Sequence, residues 1–88
     1  MSDVNFKKDA WSEYLYWQQQ DKKTLKRINH IVKDLERNGH QGIGKAEKLK
    51  GNLSGFWSRR IDDKNRIIYT IENDTVNIFS CRGHYDDK

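Results

Sequence analysis

The pattern of apolar side chains in this 88-residue chain changes once, near Gly39, and that change constrains the fold most strongly. Before it, apolar residues recur at the i, i+3, i+4, i+7 spacing that forms one face of a helix, at Leu25, Ile28, Ile31, Val32 and Leu35. After it, β-branched and aromatic residues alternate with polar ones, which is typical of strands. A helical half followed by a strand-forming half indicates an α+β domain.

Two helices are predicted in the first half. The longer one covers residues 22–37, because Asp21 can accept the free amide hydrogens of its first turn and Asn38-Gly39 provides a left-handed stop. The shorter one covers residues 8–20 and carries large apolar residues on one face, with Trp11, Tyr14, Leu15 and Gln18 in line. Because the helices meet at Asp21, we expect an αα-hairpin whose apolar faces are directed toward a common surface.

Three strands are predicted in the second half, over residues 56–61, 66–71 and 75–82. The polar connections at residues 62–65 and 72–74 have the length of hairpin turns, so these strands should be antiparallel. A further strand is expected near residues 4–6. The predicted fold is therefore α+β, with an N-terminal two-helix hairpin packed on one face of a twisted antiparallel sheet of four to five strands.

Composition predicts one small folded domain over residues 1–88. Apolar and charged residues make up 34% each, but 3 Phe, 3 Trp and 4 Tyr can bury a large area per side chain. We expect no membrane span and no signal peptide, and hence a cytoplasmic protein. The single cysteine, Cys81, excludes an internal disulfide. No pair of His or Cys residues has zinc-ligand spacing, so neither a metal nor a cofactor is expected.

The net charge of +4 favours an anionic partner, and nucleic acid is the first candidate. Residues 45–60 contain five cations and one carboxylate. Charge alone leaves an ordinary solvated strand surface equally open. Alternation along a strand places Arg59 and Arg60 on opposite faces of the sheet. If the helices cover one face, Arg60 and Arg66 on neighbouring strands can converge on the open face, where they would suit a phosphate group.

Several stretches form a recognisable pattern: NLSGFWSRRI at residues 52–61, NRIIY at 65–69, CRGHY at 81–85, WSEYLYW at 11–17 and KAEKLK at 45–50. In these stretches the chain resembles the YoeB (Txe) toxins of the RelE/ParE superfamily, in one register and over nearly its whole length. The resemblance implies a RelE-like fold and a ribosome-dependent mRNA endonuclease of a type II toxin-antitoxin system. It also implies a YefM-type antitoxin, the 70S ribosome and mRNA as partners, and homodimer formation.

Carried over position by position, the resemblance implies a metal-independent cleavage site. The family's catalytic glutamate falls on Glu47 as general base, its phosphate-binding arginine on Arg66, and its C-terminal histidine on His84 as general acid. Its RNA-binding positions fall on Lys50, Arg60 and Tyr85. The chemistry is consistent with this set, because RNA carries its own nucleophile in the 2′-hydroxyl group and is cleaved by an acid, a base and a cation.

Two other functions stay open at this point. One is a ParE-like toxin that inhibits DNA gyrase, which needs no general acid or base. The other is a non-catalytic basic module that binds RNA or operator DNA through phosphate contacts. In that case Glu47 would be part of a surface ion pair among lysines, a contact of about 0 to 1 kcal/mol.

The remaining notable residues are predicted to be structural. We expect His30 and His40 to be solvated and Cys81 to be a buried strand residue. The three tryptophans are expected to anchor the core or an interface. Because no proline flanks Glu47 and two glycines precede it, the loop before Glu47 is expected to be loosely ordered.

Overall fold

A computed structural model describes residues 2–42 and 44–83. Its elements follow in the order β1 (Asp3–Phe6), α1 (Lys8–Gln20), α2 (Lys22–Asn38), β2 (Glu47–Lys48), β3 (Trp57–Arg60), β4 (Arg66–Glu72) and β5 (Thr75–Ser80). One turn of 3-10 helix, Gly51–Leu53, lies between β2 and β3. The predicted helices and strands are all present, with boundaries that differ by up to two residues.

The helical hairpin is confirmed, and its caps are those that the sequence indicates. The Asp21 carboxylate accepts hydrogen bonds from the backbone amides of Lys23 and Thr24 and from the Thr24 hydroxyl. The Thr24 side-chain bond is the largest of the interactions that lower the pKa of Asp21. Gly39 ends α2 with a φ of 62°, which favours glycine.

The five strands form one sheet in the order β1-β5-β4-β3-β2. Strands β3, β4 and β5 pair antiparallel with one another in chain order, as predicted, and β2, whose position the sequence did not indicate, pairs antiparallel with β3. The expectation of a wholly antiparallel sheet is wrong at β1, which pairs parallel to β5 with Val4 opposite Val76. Hairpin turns fix the directions of β3 to β5. Between β1 and β5 the chain contains both helices and strands β2 to β4, so no short turn forces these two strands to be antiparallel.

Both helices cover the same face of the sheet, and the core lies between them. From α2, the side chains of Ile28, Ile31 and Leu35 are buried, as the periodicity predicts. The sheet supplies Ile67, Tyr69, Val76, Ile78 and neighbouring residues to the same cluster. Leu49 and Ile68 are also buried but lie outside this cluster.

The predicted buried face of α1 is wrong. Trp11 and Leu15 keep 49% and 40% of their surface exposed, whereas Ala10 and Trp17 are buried. The Trp17 indole Nε1 donates to the Cys81 carbonyl at 2.9 Å. Glu13, on the same side of the helix, accepts a hydrogen bond from the Cys81 amide at 2.8 Å. The hydrophobic pattern did not identify this face because its central residue, Glu13, is a carboxylate. It is half-buried and accepts a hydrogen bond from the backbone just after β5.

Candidate functional site

The strand register brings three of the predicted site residues to the face of the sheet opposite the helices. Glu47 on β2 lies opposite Ser58 on β3. Two residues further along β3, Arg60 lies opposite Arg66 on β4. Directly paired and alternate residues share a face of the sheet, so the side chains of Glu47, Arg60 and Arg66 emerge on the same open face.

Sheet dimensions give the scale of this arrangement. Neighbouring strands lie about 4.8 Å apart and alternate residues of one strand about 6.6 Å apart, which separates the Glu47 and Arg66 Cα atoms by roughly 12 Å along the diagonal. At this separation the side chains of Glu47 and Arg66 are long enough to contact the same phosphodiester group. The face therefore offers a carboxylate on one side and two guanidinium groups on the other.

The two arginines of the open face are held differently. Arg60 is 55% exposed and forms an ion pair with Asp63, which is itself 85% exposed. Such an exposed pair contributes about 0 to 1 kcal/mol, so a phosphate can displace the Asp63 carboxylate. The Arg66 guanidinium donates instead to the backbone carbonyls of Asp62 and Asn65. Those carbonyls orient Arg66 without neutralising its charge.

The β3–β4 turn that orients Arg66 is well hydrogen-bonded. The Asp62 carboxylate accepts from the backbone amides of Lys64 and Asn65, both at 2.8 Å. Burial tends to raise the pKa of Asp62, but these hydrogen bonds and the Arg66 charge outweigh it and lower the pKa. The turn also holds the end of the described chain, since Gly83 donates to the Asn65 side chain at 2.8 Å and accepts from the Arg66 amide at 3.0 Å.

The predicted acid His84 and the predicted RNA-binding Tyr85 lie outside the described residues. Gly83, the residue that precedes them, is hydrogen-bonded to Arg66 of the site.

Glu47 is exposed, and backbone hydrogen bonds to β3 hold the chain on both sides of it. On one side, the Gly44 carbonyl accepts from the Arg60 amide at 2.7 Å, and on the other the Leu49 amide donates to the Phe56 carbonyl at 2.9 Å. This segment is therefore hydrogen-bonded to the neighbouring stretch of chain on both sides of Glu47, although no proline flanks Glu47. Lys50 is also exposed and lies three residues beyond Glu47, where the 3-10 turn begins.

A buried arginine that the sequence did not single out for function lies beneath the site. Arg59 is fully buried on the helix side of β3. Its guanidinium forms an ion pair of 2.9 Å with Asp34 of α2 and donates to the carbonyls of Gly39 and Gln41. The alternation of Arg59 and Arg60 was the available signal, because it directs one guanidinium toward α2. Arg59 thereby ties the segment that leads from α2 to Glu47 onto β3.

His40 in that segment is not solvated as predicted, whereas His30 is exposed as predicted. The His40 ring stacks on Trp57 with 3.9 Å between centroids, and its Nδ1 lies 3.2 Å from the Tyr69 hydroxyl. Burial, followed by the charge of Arg59, lowers the pKa of His40. Burial raises the pKa of Tyr69, against the effect of a hydrogen bond from Arg59. Trp57 is an internal anchor, as expected.

Cys81 is buried, as predicted, and burial raises its pKa to about 12, with a further contribution from the Glu13 charge. Within residues 2–42 and 44–83, no cluster of three or more His, Cys, Asp or Glu side chains could hold a metal ion. In the same residues, no helix is both long and apolar enough to cross a membrane.

Comparison with known proteins finds this architecture in bacterial toxins. Toxin YoeB of Escherichia coli O6:H1 (strain CFT073) is 51% identical over 77 residues, which are 88% of this chain and 92% of that protein. The YoeB-YefM complex from Staphylococcus aureus contains a chain of 44% identity with a TM-score of 0.87, covering 97% of this chain and 99% of that one. The YoeB dimer from the same organism matches with 46% identity and a TM-score of 0.87, covering 96% and 98%.

The fold and these similarities define a small α+β toxin of the RelE-like type. The family model described as "YoeB-like toxin of bacterial type II toxin-antitoxin system" matches residues 6–85. The chain belongs to this YoeB-like toxin family, as the sequence resemblance indicated.

Proposed function

We propose that this toxin is a metal-independent, ribosome-dependent mRNA endonuclease that inhibits translation. The observation that carries the proposal is the register that brings Glu47, Arg60 and Arg66 onto one open face. A gyrase inhibitor would not need a carboxylate and two guanidinium groups on one face of the sheet.

In the proposed reaction Glu47 takes the proton of the 2′-hydroxyl group, and the freed oxygen attacks the adjacent phosphorus. Arg66, assisted by Lys50, stabilises the negative charge that develops on the phosphoryl oxygens. His84 gives a proton to the departing 5′-oxygen. The products are a 2′,3′-cyclic phosphate and a 5′-hydroxyl end. Arg60 and Tyr85 hold the RNA on either side of the scissile phosphate.

The openness of the site supports a requirement for the ribosome. Glu47 and Arg60 are both exposed to solvent, although Ser58, which lies between them on the same face, is buried. Much of a cleavage rate comes from holding the attacking oxygen in line with the bond that breaks. An open face cannot impose that geometry on flexible RNA, whereas mRNA fixed in the ribosomal A site arrives already oriented.

For partners, we propose a YefM-type antitoxin and a second copy of this chain. The Staphylococcus aureus relatives are a complex with YefM and a dimer. An acidic antitoxin segment that orders on binding could pair with Arg60 and Arg66, which would both neutralise and cover the site.

Cut-site mapping in a purified translation system tests the proposal. Primer extension should show cuts in A-site mRNA for the wild-type protein with ribosomes and none without them. Glu47→Gln and His84→Ala should each reduce the cutting rate by about 10²- to 10⁴-fold. Glu72→Gln, which removes an exposed carboxylate elsewhere on the sheet, serves as the control and should cut normally. Normal cutting by Glu47→Gln, or none by the wild type, would overturn the proposal.

A further inference from the structure

The solvent side of α2 carries cations that the proposed cleavage site does not use. They are Lys22, Lys23, Lys26, Arg27, Lys33 and Arg37, with the exposed His30 among them. Against two carboxylates, Asp34 and Glu36, these six Lys and Arg residues give α2 a net charge of +4. Residues 45–60 are therefore not the only basic segment of the chain.

None of the six α2 cations forms an ion pair among the described residues. Of the two carboxylates of α2, Asp34 is directed inward to Arg59, with only 16% of its side chain exposed, and Glu36 is half-buried. The ion pairs found among the described residues involve Arg59 and Arg60, neither of which lies on α2.

The arrangement of cations also opposes the stability of the helix itself. Lys22 and Lys26, Lys23 and Arg27, and Lys33 and Arg37 are like-charged pairs at i, i+4, a spacing at which like charges repel. The first turn holds Lys22 and Lys23, which is unfavourable next to the positive end of the helix dipole, and only the capping Asp21 carboxylate opposes this effect there. A bound polyanion would relieve both effects, as expected of a binding surface.

The shape of the surface suits spaced anionic groups. From Lys22 to Arg37 the cations extend over roughly 22 Å of helix. Two shallow clefts border the helix, one of about 270 Å³ lined by Lys23, Thr24, Arg27, Ile61 and Asp62. The other, of about 260 Å³, is lined by His30, Lys33, Asp34, Arg37 and Asn38. Each cleft has two Lys or Arg side chains and one Asp side chain at its wall, so the cations outnumber the carboxylates in both.

We propose that the exposed side of α2 is a second nucleic-acid surface, which binds the phosphate backbone of double-helical RNA without reading its sequence. A single strand is the less suitable ligand, because none of the exposed α2 residues is Phe, Tyr or Trp, the side chains on which unpaired bases stack. Phosphate contacts by Lys and Arg are enough to bind a duplex. The surface lies on the helical side of the sheet, so a duplex bound there leaves the open face with Glu47 accessible.

The test uses full-length Glu47→Gln protein, so that no cleavage complicates binding, and a fluorescent RNA duplex of about 16 base pairs, a length typical of backbone recognition. The pair of substitutions Lys26→Gln and Lys33→Gln is compared with Lys7→Gln and Lys8→Gln, which remove the same charge from the junction of β1 and α1. Anisotropy titrations are run between about 50 and 200 mM salt.

The logarithm of the binding constant falls linearly as the logarithm of the salt concentration rises. We expect the α2 pair of substitutions to make this slope less steep by about 1.4 to 1.8, and the control pair to change it little. Equal effects of the two pairs would overturn the proposal. The proposal would also be overturned if poly-glutamate bound to the same lysines more tightly than duplex RNA does, because that result would assign the surface to an acidic protein. A third contradicting result would be that one strand of the duplex binds more tightly on its own than it does when paired. Since binding is measured without cleavage, its failure is distinct from a failure of the proposed nuclease activity.

Discussion

Arg59 and Asp34 form a buried ion pair of 2.9 Å that joins β3 to α2 directly beneath the candidate site. The neighbouring residue on β3 is Arg60, which emerges on the open face. The same guanidinium also holds the carbonyls of Gly39 and Gln41, in the segment that leads to Glu47. One buried side chain thus fixes the position of the helical layer, the segment before Glu47 and the strand that carries Arg60.

Removing the charge of Asp34 should therefore destabilise the protein strongly. Asp34→Asn leaves a fully buried guanidinium without its counter-ion, and breaking a buried pair in this way costs about 3 to 5 kcal/mol. Urea unfolding measures the loss in the free energy of unfolding. Asp63→Asn is the matched control, because it breaks the exposed pair with Arg60 and should cost about 0 to 1 kcal/mol. Equal losses for the two variants would contradict a structural role for the buried pair.

Gly42 should be the least replaceable of the glycines near the site. A Cβ built on Gly42, which has a φ of 120°, would lie 1.8 Å from the Asp34 carboxylate oxygen and would disrupt the pair with Arg59. Gly55→Ala is the control, because Gly55 also has a positive φ, 96°, but has open space around it. Backbone strain alone costs about 1 to 3 kcal/mol.

We therefore expect Gly42→Ala to lower the free energy of unfolding by more than Gly55→Ala does, as measured by urea titration. A combination of Gly42→Ala with Asp34→Asn should lose less than the sum of the two single changes, since both act on the same pair. Additive losses would mean that Gly42 does not act through Asp34.

Local signals in the sequence were sufficient for most of the fold. The Asp21 cap, the Gly39 stop and the two hairpin turns each act on neighbouring residues, so they set the ends of α2 and the pairing of β3, β4 and β5. The parallel direction of β1 could not be predicted in this way, because it depends on contacts between residues about 70 positions apart, such as Val4 with Val76.

The errors at single side chains share a physical cause. His40, and Glu13 on the buried face of α1, are polar residues that tertiary partners draw inward, and a hydrophobic pattern does not identify such residues as buried. For the candidate site, alternation correctly assigned Arg60 to the open face with Arg66. The position of Glu47 next to these arginines could not be predicted in the same way. It depends on the register of β2, a strand of two residues that is too short for residue propensities to identify.

Cys81 should be unreactive in the folded protein. Burial raises its pKa to about 12, so almost none of it is thiolate at neutral pH, and its Sγ lies 3.5 Å from the Ala10 carbonyl in the core. We expect a thiol reagent such as dithionitrobenzoate to label Cys81 fully in denaturant and very slowly in native buffer. Native labelling should speed up in Asp34→Asn, because it follows the population of opened molecules. Rapid labelling of the native wild-type protein would contradict the burial of this thiol.

His40 should make stability depend on pH between about pH 8 and pH 5. Because the folded protein lowers the pKa of His40 through burial and the Arg59 charge, the unfolded chain binds a proton more readily than the folded one. Stability is therefore highest above the ordinary histidine pKa of about 6.5 and falls as the pH drops through that value. His40→Phe keeps an aromatic ring against Trp57 but cannot take up a proton.

We expect the urea midpoint of the wild type to fall more steeply with acidification than that of His40→Phe. Comparing slopes cancels the contributions of the other histidines and of Asp21 and Asp62, whose lowered pKa values act at more acidic pH. It also separates proton uptake from the lost contact with the Tyr69 hydroxyl, which shifts the whole curve. Parallel curves for the wild type and His40→Phe would show that the proton on His40 is not coupled to folding.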